Sequence, residues 1–122
     1  MIKLVFCLKR LPGLSVDEFH SYWRNVHAPI VVRNKCVLKI KRYVQLHTSF
    51  DALTDRLRGF RQSPEPYDGI AEIWYESRDA LISLGRDPEA RTASRELRED
   101  EARFVNLAAS PIWVGEEVPI IS

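Results

Sequence analysis

Few side chains in this sequence can give or take a proton near neutral pH, and the three histidines, His20, His27 and His47, come first among them. An unperturbed imidazole titrates near pH ~6.5, so either protonation state is within reach. His27 closes the run SVDEFHSYWRNVHAP, residues 15–29, beside Tyr22, Trp23 and Arg24. Glu72 stands inside the apolar run IAEIWY. A carboxylate there is costly unless paired, and desolvation would raise its pKa toward neutrality. Tyr43, Gln45 and His47 alternate along LKIKRYVQLHT, so a phenol and an imidazole share one strand face. These spacings make His27, Glu72 and Tyr43 the candidate catalytic residues. His47, Trp23, Trp74, Phe19 and Tyr22 are the candidate walls for a small, flat, mostly apolar molecule. Each has a plainer competing role. His27 could tie a helix end to a backbone carbonyl, and Glu72 could pair with Arg24 or Arg42. Tyr43 and the other aromatics could be ordinary core, and His47 a solvated strand end.

The elements that would position these groups are legible from capping and periodicity. Ser15 followed by Glu18 is a capping box, which starts a helix at Val16. Pro29 biases Ala28 away from helical geometry, which predicts a stop near His27 and places the imidazole at a helix C-terminus, where the protonated form is favoured. Phe19, Trp23 and Val26 form the apolar stripe of that helix, and a second short helical piece is expected over 30–35. Strands are expected over 2–9, 38–48, 70–75 and 111–118. Ser77 caps a short helix broken by Gly85–Pro88, and a longer helix runs over 88–105 with Ala90, Leu97 and Phe104 on its stripe. Residues 50–66 lack clean alternation and read as a long surface loop with a helical turn at most. The order strand, helix, strand, strand, helix, strand is that of an α+β, ferredoxin-like split βαβ fold, an antiparallel four-stranded sheet with helices on one face. Strands 2–9 and 70–75 are apolar on both faces, yet the chain has no element left to cover the second face. A homodimer packing sheet to sheet resolves that mismatch.

Size and charge narrow the function classes. A chain of 122 residues with 45% hydrophobic residues argues for one domain, expected over residues 1–122. Its net charge of +1 gives no electrostatic case for nucleic acid or an anionic membrane as partner. No apolar run approaches the ~20 residues that span a bilayer. MIKLVFCLKR lacks a cleavage site, and Cys7 and Cys36 form no disulfide framework. A cytoplasmic location is expected. There is no HxxxH pair or other metal-ligand spacing, no Gly-rich phosphate loop and no GxSxG elbow, so no metal and no cofactor is expected.

Several separated runs in the right order, MIKLVFCLKRLPGLSVDEF, HSYWRNVHAP, IKRYVQLH, YDGIAEIWYES and DEARFVNLAASPIWVGEE, make the sequence resemble the EthD domain family over nearly its whole length. The resemblance implies a ferredoxin-like fold pairing as a dimeric α/β barrel. It also implies kinship with cofactor-independent dehydratases of fungal polyketide pathways and with methylmuconolactone isomerases. His27 falls on the histidine of the family's Trp-x-x-x-His spacing, whereas the isomerases' cysteine has no counterpart near Glu72. The expected function is therefore a cofactor-independent lyase or isomerase working by proton transfer on a small aromatic, polyketide-like or lactone compound. The alternatives are a non-catalytic dimeric small-molecule-binding or accessory protein of ether or aromatic breakdown, and a cofactor-free oxygenase on the same type of barrel.

Overall fold

A computed structural model describes residues 1–122. Strands β1 (Ile2–Leu8), β2 (Arg42–His47), β3 (Gly69–Tyr75) and β4 (Ile112–Gly115) form one antiparallel sheet in the order β2-β3-β1-β4. Helices α1 (Val16–Tyr22), α2 (Ala28–Arg33), α3 (Ala52–Arg61), α4 (Arg78–Ser83) and α5 (Pro88–Glu101) fill the connections. The order and pairing are those of the ferredoxin-like fold. Register divides the sheet cleanly. Ile2, Leu4, Phe6 and Leu8 of β1 lie level with Tyr75, Ile73, Ala71 and Gly69 of β3, and these side chains join Phe19, Trp23, Leu38, Ala90 and Phe104 in the core. Lys3, Val5 and Cys7 face the other way with Ile70, Glu72 and Trp74.

The capping box forms as expected: Ser15 accepts from the Glu18 N–H, and Glu18 accepts from the Ser15 N–H. The helix does not stop at His27. It passes through a wide π-type turn, Trp23–His27, closed by the Ala28 N–H donating to the Trp23 carbonyl, and continues as α2 with Pro29 in its first turn. Pro29 offers no N–H to the preceding turn, and the widened turn just before it is where the regular helical ladder is interrupted. The extra residue in the turn also shifts the stripe. Val26 is 44% exposed, and His27, 4% exposed, takes the buried place after Phe19 and Trp23.

Three other expectations change. The second strand is shorter than 38–48: residues 34–40 are turns that sink Leu38 into the core. Phe104 reaches the core from just beyond α5, held by the Leu11 N–H donating to its carbonyl. Residues 50–66, expected as a loop, contain α3, capped by Asp51 accepting from the Leu53 and Thr54 N–H groups. No residue of α3 is buried, and Leu53, Leu57 and Phe60 are exposed along it. No helix is long and apolar enough to cross a membrane.

Candidate functional site

The wide turn sets the imidazole of His27 against the last turn of α5. Asp100, 1% exposed, lies 2.7 Å through Oδ2 from His27 Nδ1, and its Oδ1 accepts from the Tyr22 hydroxyl at 2.7 Å and from Arg103 at 3.0 Å. Burial pushes the Asp100 carboxyl up, but the hydrogen bonds from Tyr22, His27 and Arg103 outweigh it and hold the pKa below the ordinary value. Burial also lowers the His27 pKa, against the opposing pull of Asp100. The imidazole is therefore neutral near pH 7, reversing the expectation for a helix C-terminus. With Asp100 ionised, Nδ1 carries the proton and Nε2 keeps its lone pair.

That free nitrogen faces an enclosed space of about 40 Å³ between helices and sheet, bounded by Phe6, Trp23, Val31, Tyr43, Leu97 and Glu101 among others. Glu101 Oε2 lies 4.0 Å from His27 Nε2. The carboxyl makes no ion pair with an arginine or lysine within 4.0 Å, and burial raises its pKa to about 7. The cavity thus sets a neutral base beside a carboxyl that still holds its proton near neutrality, and two groups with separated affinities can divide the work of base and acid.

The sheet supplies the opposite wall. Tyr43, Gln45 and His47 point from β2 to the helix side, level with Ile73, Ala71 and Gly69. Gln45 ties them together: its amide nitrogen donates to the Tyr43 hydroxyl oxygen at 2.8 Å and to the Trp23 carbonyl in the wide turn at 3.0 Å. Its oxygen lies 2.7 Å from His47 Nε2. Tyr43 accepts in that bond, so its own O–H is left to donate toward the cavity. The ring of His47 stacks on Trp23 at 4.6 Å and meets His20 at 4.5 Å. Trp23 can lie so close to the sheet because residue 69 is glycine: a Cβ there would stand 2.8 Å from Trp23 Cη2.

Among the residues singled out in the sequence, His27, Tyr43 and Trp23 border one cavity. Phe19, wholly buried, and Tyr22 stand behind it as packing and as a bond to Asp100. His47 backs Trp23. Glu72 and Trp74 are not brought to the site. Both occupy the opposite sheet face, where Glu72 pairs with Lys3 at 2.7 Å rather than with Arg24 or Arg42. There the Trp74 ring lies under Lys3 and Arg42. Asp100 and Glu101 are the candidate groups that sequence reasoning missed. Glu101 follows Leu97 by one helical turn and so continues the buried stripe of α5, a signal that could have found it. No group of three or more His, Cys, Asp or Glu is arranged to hold a metal ion.

Comparison with known proteins agrees with this architecture. The family model of the EthD domain matches residues 11–108. The dehydratase ustZ of Ustilaginoidea virens is 24% identical over 115 residues, covering 92% of this chain and 80% of its own. An EthD family protein of Bacillus halodurans superposes with a TM-score of 0.63 at 17% identity, over 97% of this chain and 99% of its own. A dimeric protein of unknown function and ferredoxin-like fold from Bacteroides fragilis does so with a TM-score of 0.60 at 11% identity, over 95% of each chain.

Proposed function

Because the chain belongs to the EthD domain family, we propose that it is a cofactor-independent lyase or isomerase, and that His27 and Glu101 exchange protons with a small aromatic, polyketide-like or lactone compound. The observation that carries this reading is the neutral imidazole, oriented by Asp100, 4.0 Å from a carboxyl lifted to about 7 inside one apolar cavity. The likeness to a dehydratase supports it. In a dehydration, His27 Nε2 takes the proton next to a carbonyl. The released electron pair forms the C=C bond, the C–O bond breaks, and Glu101 delivers its proton to the departing hydroxide as water. Transfer of the proton from His27 to Glu101 restores both groups. In an isomerisation the same proton returns at another carbon. Tyr43 donates to the carbonyl oxygen, where charge develops.

The second reading, a small-molecule-binding protein without catalysis, uses the same cavity of about 40 Å³, which admits an aromatic ring only when its walls move. In either case we propose a cytoplasmic homodimer. Both cysteines are free, as suits a reducing compartment. Leu46 and Trp113, each more than half exposed, mark the open sheet face as the surface for the second copy.

The test is deuterium incorporation from heavy water next to the carbonyl, and loss of water, across a panel of β-hydroxy aryl ketones and unsaturated lactones. His27→Ala and Glu101→Gln should each lower the rate about 10²–10⁴-fold. The profile of the natural protein should fall as pH rises through about 7, where Glu101 loses its proton. It should also fall at acid pH, where His27 gains one. Glu101→Gln should abolish the alkaline fall, and equal rates in the variants and the natural protein would sink the catalytic reading.

A further inference from the structure

The cavity has a neighbour. An open groove of about 240 Å³ is lined by Val31, Val32, Lys35, Ile40, Lys41, Arg42 and Tyr43. Val31 and Tyr43 also line the inner cavity, so these two side chains form a wall with the His27–Glu101 pair on one side and open water on the other. The chemistry on the two sides is opposite. The inner space contains no lysine or arginine and is apolar apart from His27, Tyr43 and Glu101. The groove lies along a stretch that carries Arg33, Lys35, Lys39, Lys41 and Arg42 with no carboxylate between residues 33 and 50.

These cations are not all committed elsewhere. Arg33 pairs with Glu96 at 3.0 Å, Lys39 donates to the Ser83 hydroxyl, and Arg42 lies over the Trp74 ring at 4.6 Å. Lys35 and Lys41 are exposed and have no carboxylate within 4.0 Å. Glu76 lines the next groove with both of them and pairs with neither. Two unpaired ammonium groups on the rim of a groove form a receptor for an anion.

Building on the proton-transfer reading, we propose that the outer groove is the vestibule of the site. Lys35 and Lys41 hold the carboxylate of an aromatic acid there, while its uncharged end passes the Val31–Tyr43 wall to reach His27 and Glu101. This division explains how an inner cavity smaller than an aromatic ring can serve such a molecule. It also disfavours the reverse orientation, because the inner cavity is lined by no lysine or arginine and a carboxylate there would lose its water with no cation in exchange. Of the compounds the proton-transfer reading admits, the structure then selects those bearing an acid group away from the reacting carbonyl.

The test uses 2-naphthoate and 2-naphthol, which share a ring system and differ in charge at neutral pH, with binding followed by calorimetry. The natural protein should bind the naphthoate roughly three- to tenfold more tightly, as two exposed ion pairs allow, and the preference should shrink at high salt. Lys35→Gln combined with Lys41→Gln should remove the preference and leave 2-naphthol unchanged. Val31→Ala, which thins the wall, should tighten both probes severalfold. Equal affinities in the natural protein, a preference that survives the lysine substitutions, or no binding of either probe would overturn the proposal. The two readings fail separately. A lysine-dependent preference with deuterium exchange unaffected by His27→Ala keeps the vestibule and removes the catalysis. Exchange that needs His27 without any charge preference does the reverse.

Discussion

Glu101 and Glu72 both interrupt apolar surroundings, and the sheet lies between them. On the open face Glu72 meets Lys3 at 2.7 Å, and Lys3 also lies 4.8 Å above the Trp74 ring. The charge there is answered locally. On the helix side Glu101 has only His27 within ion-pair reach, at 4.0 Å, and the ring is already committed to Asp100 on its other nitrogen. A carboxyl deprived of a cation in an apolar cavity keeps its proton until higher pH, as Glu101 does. Burial alone therefore does not single out a reactive group. What counts is which side of the sheet holds the compensating charge, and here the lysine of β1 faces away from the cavity.

The sharpest way to break this contrast is to remove the residue that organises the helix side. Asp100→Ala strands the Tyr22 hydroxyl and the His27 Nδ1–H together. At about 1–3 kcal/mol for each orphaned donor, the urea midpoint should fall by the equivalent of about 2–6 kcal/mol. Asp100→Asn separates orientation from stability. If its amide nitrogen turns toward the ring, the proton moves to Nε2, and the lone pair that faces the cavity is lost. Deuterium exchange should then collapse while most of the stability remains. A small loss of stability in Asp100→Ala would show that the cluster is solvated and that the two faces do not differ in the way described.

A second probe acts on the wall opposite. In Gly69→Ala the added methyl meets Trp23 and the Leu46 carbonyl, each at 2.8 Å or closer. Trp23 is 1% exposed and stacked on His47, so it has little room to withdraw. Overpacking of this kind should cost about 1–3 kcal/mol and displace the indole that borders the cavity. An unchanged urea midpoint would mean that Trp23 is loosely held.

The residues behind these two effects were unequally visible in the sequence. Capping boxes and strand alternation are local, so the start of α1, the cap at Ser77 and the shared face of Tyr43, Gln45 and His47 could be read directly. The wide turn could not. Its Trp23 carbonyl also accepts from the Gln45 amide, a partner 22 residues away, and in sequence the turn shows only as Pro29, whose ordinary meaning is a stop. The same turn moves His27 onto the buried stripe in place of Val26, so a strict helical period assigns the wrong residue. His27 and Asp100 are 73 positions apart, and nothing local to either announces the pairing. Helix α3 failed as an expectation for the opposite reason. It buries no residue, so although Leu53, Leu57 and Phe60 recur at helical spacing, no core in this chain uses them.

The smallest effect concerns the open face, and it depends on whether that face is covered. In the isolated chain the Lys3 and Glu72 side chains are 19% and 25% exposed. Glu72→Gln leaves Lys3 with the Trp74 ring and with Glu117 at 3.9 Å. The cost should then be that of a partly solvated pair, about 0.2–1 kcal/mol, with no change in deuterium exchange. If a second copy lies on this face, water is excluded from the pair. Removing one partner of a fully desolvated pair costs about 3–5 kcal/mol, because the remaining charge has no solvent to receive it. The penalty of Glu72→Gln should therefore grow with protein concentration, and thermal unfolding over a dilution series measures it against the natural protein. A penalty that stays small at every concentration, with sedimentation showing a monomer throughout, would remove the sheet-to-sheet dimer. A penalty that rises while Asp100→Ala stays constant would assign the open face to association and the helix face to chemistry.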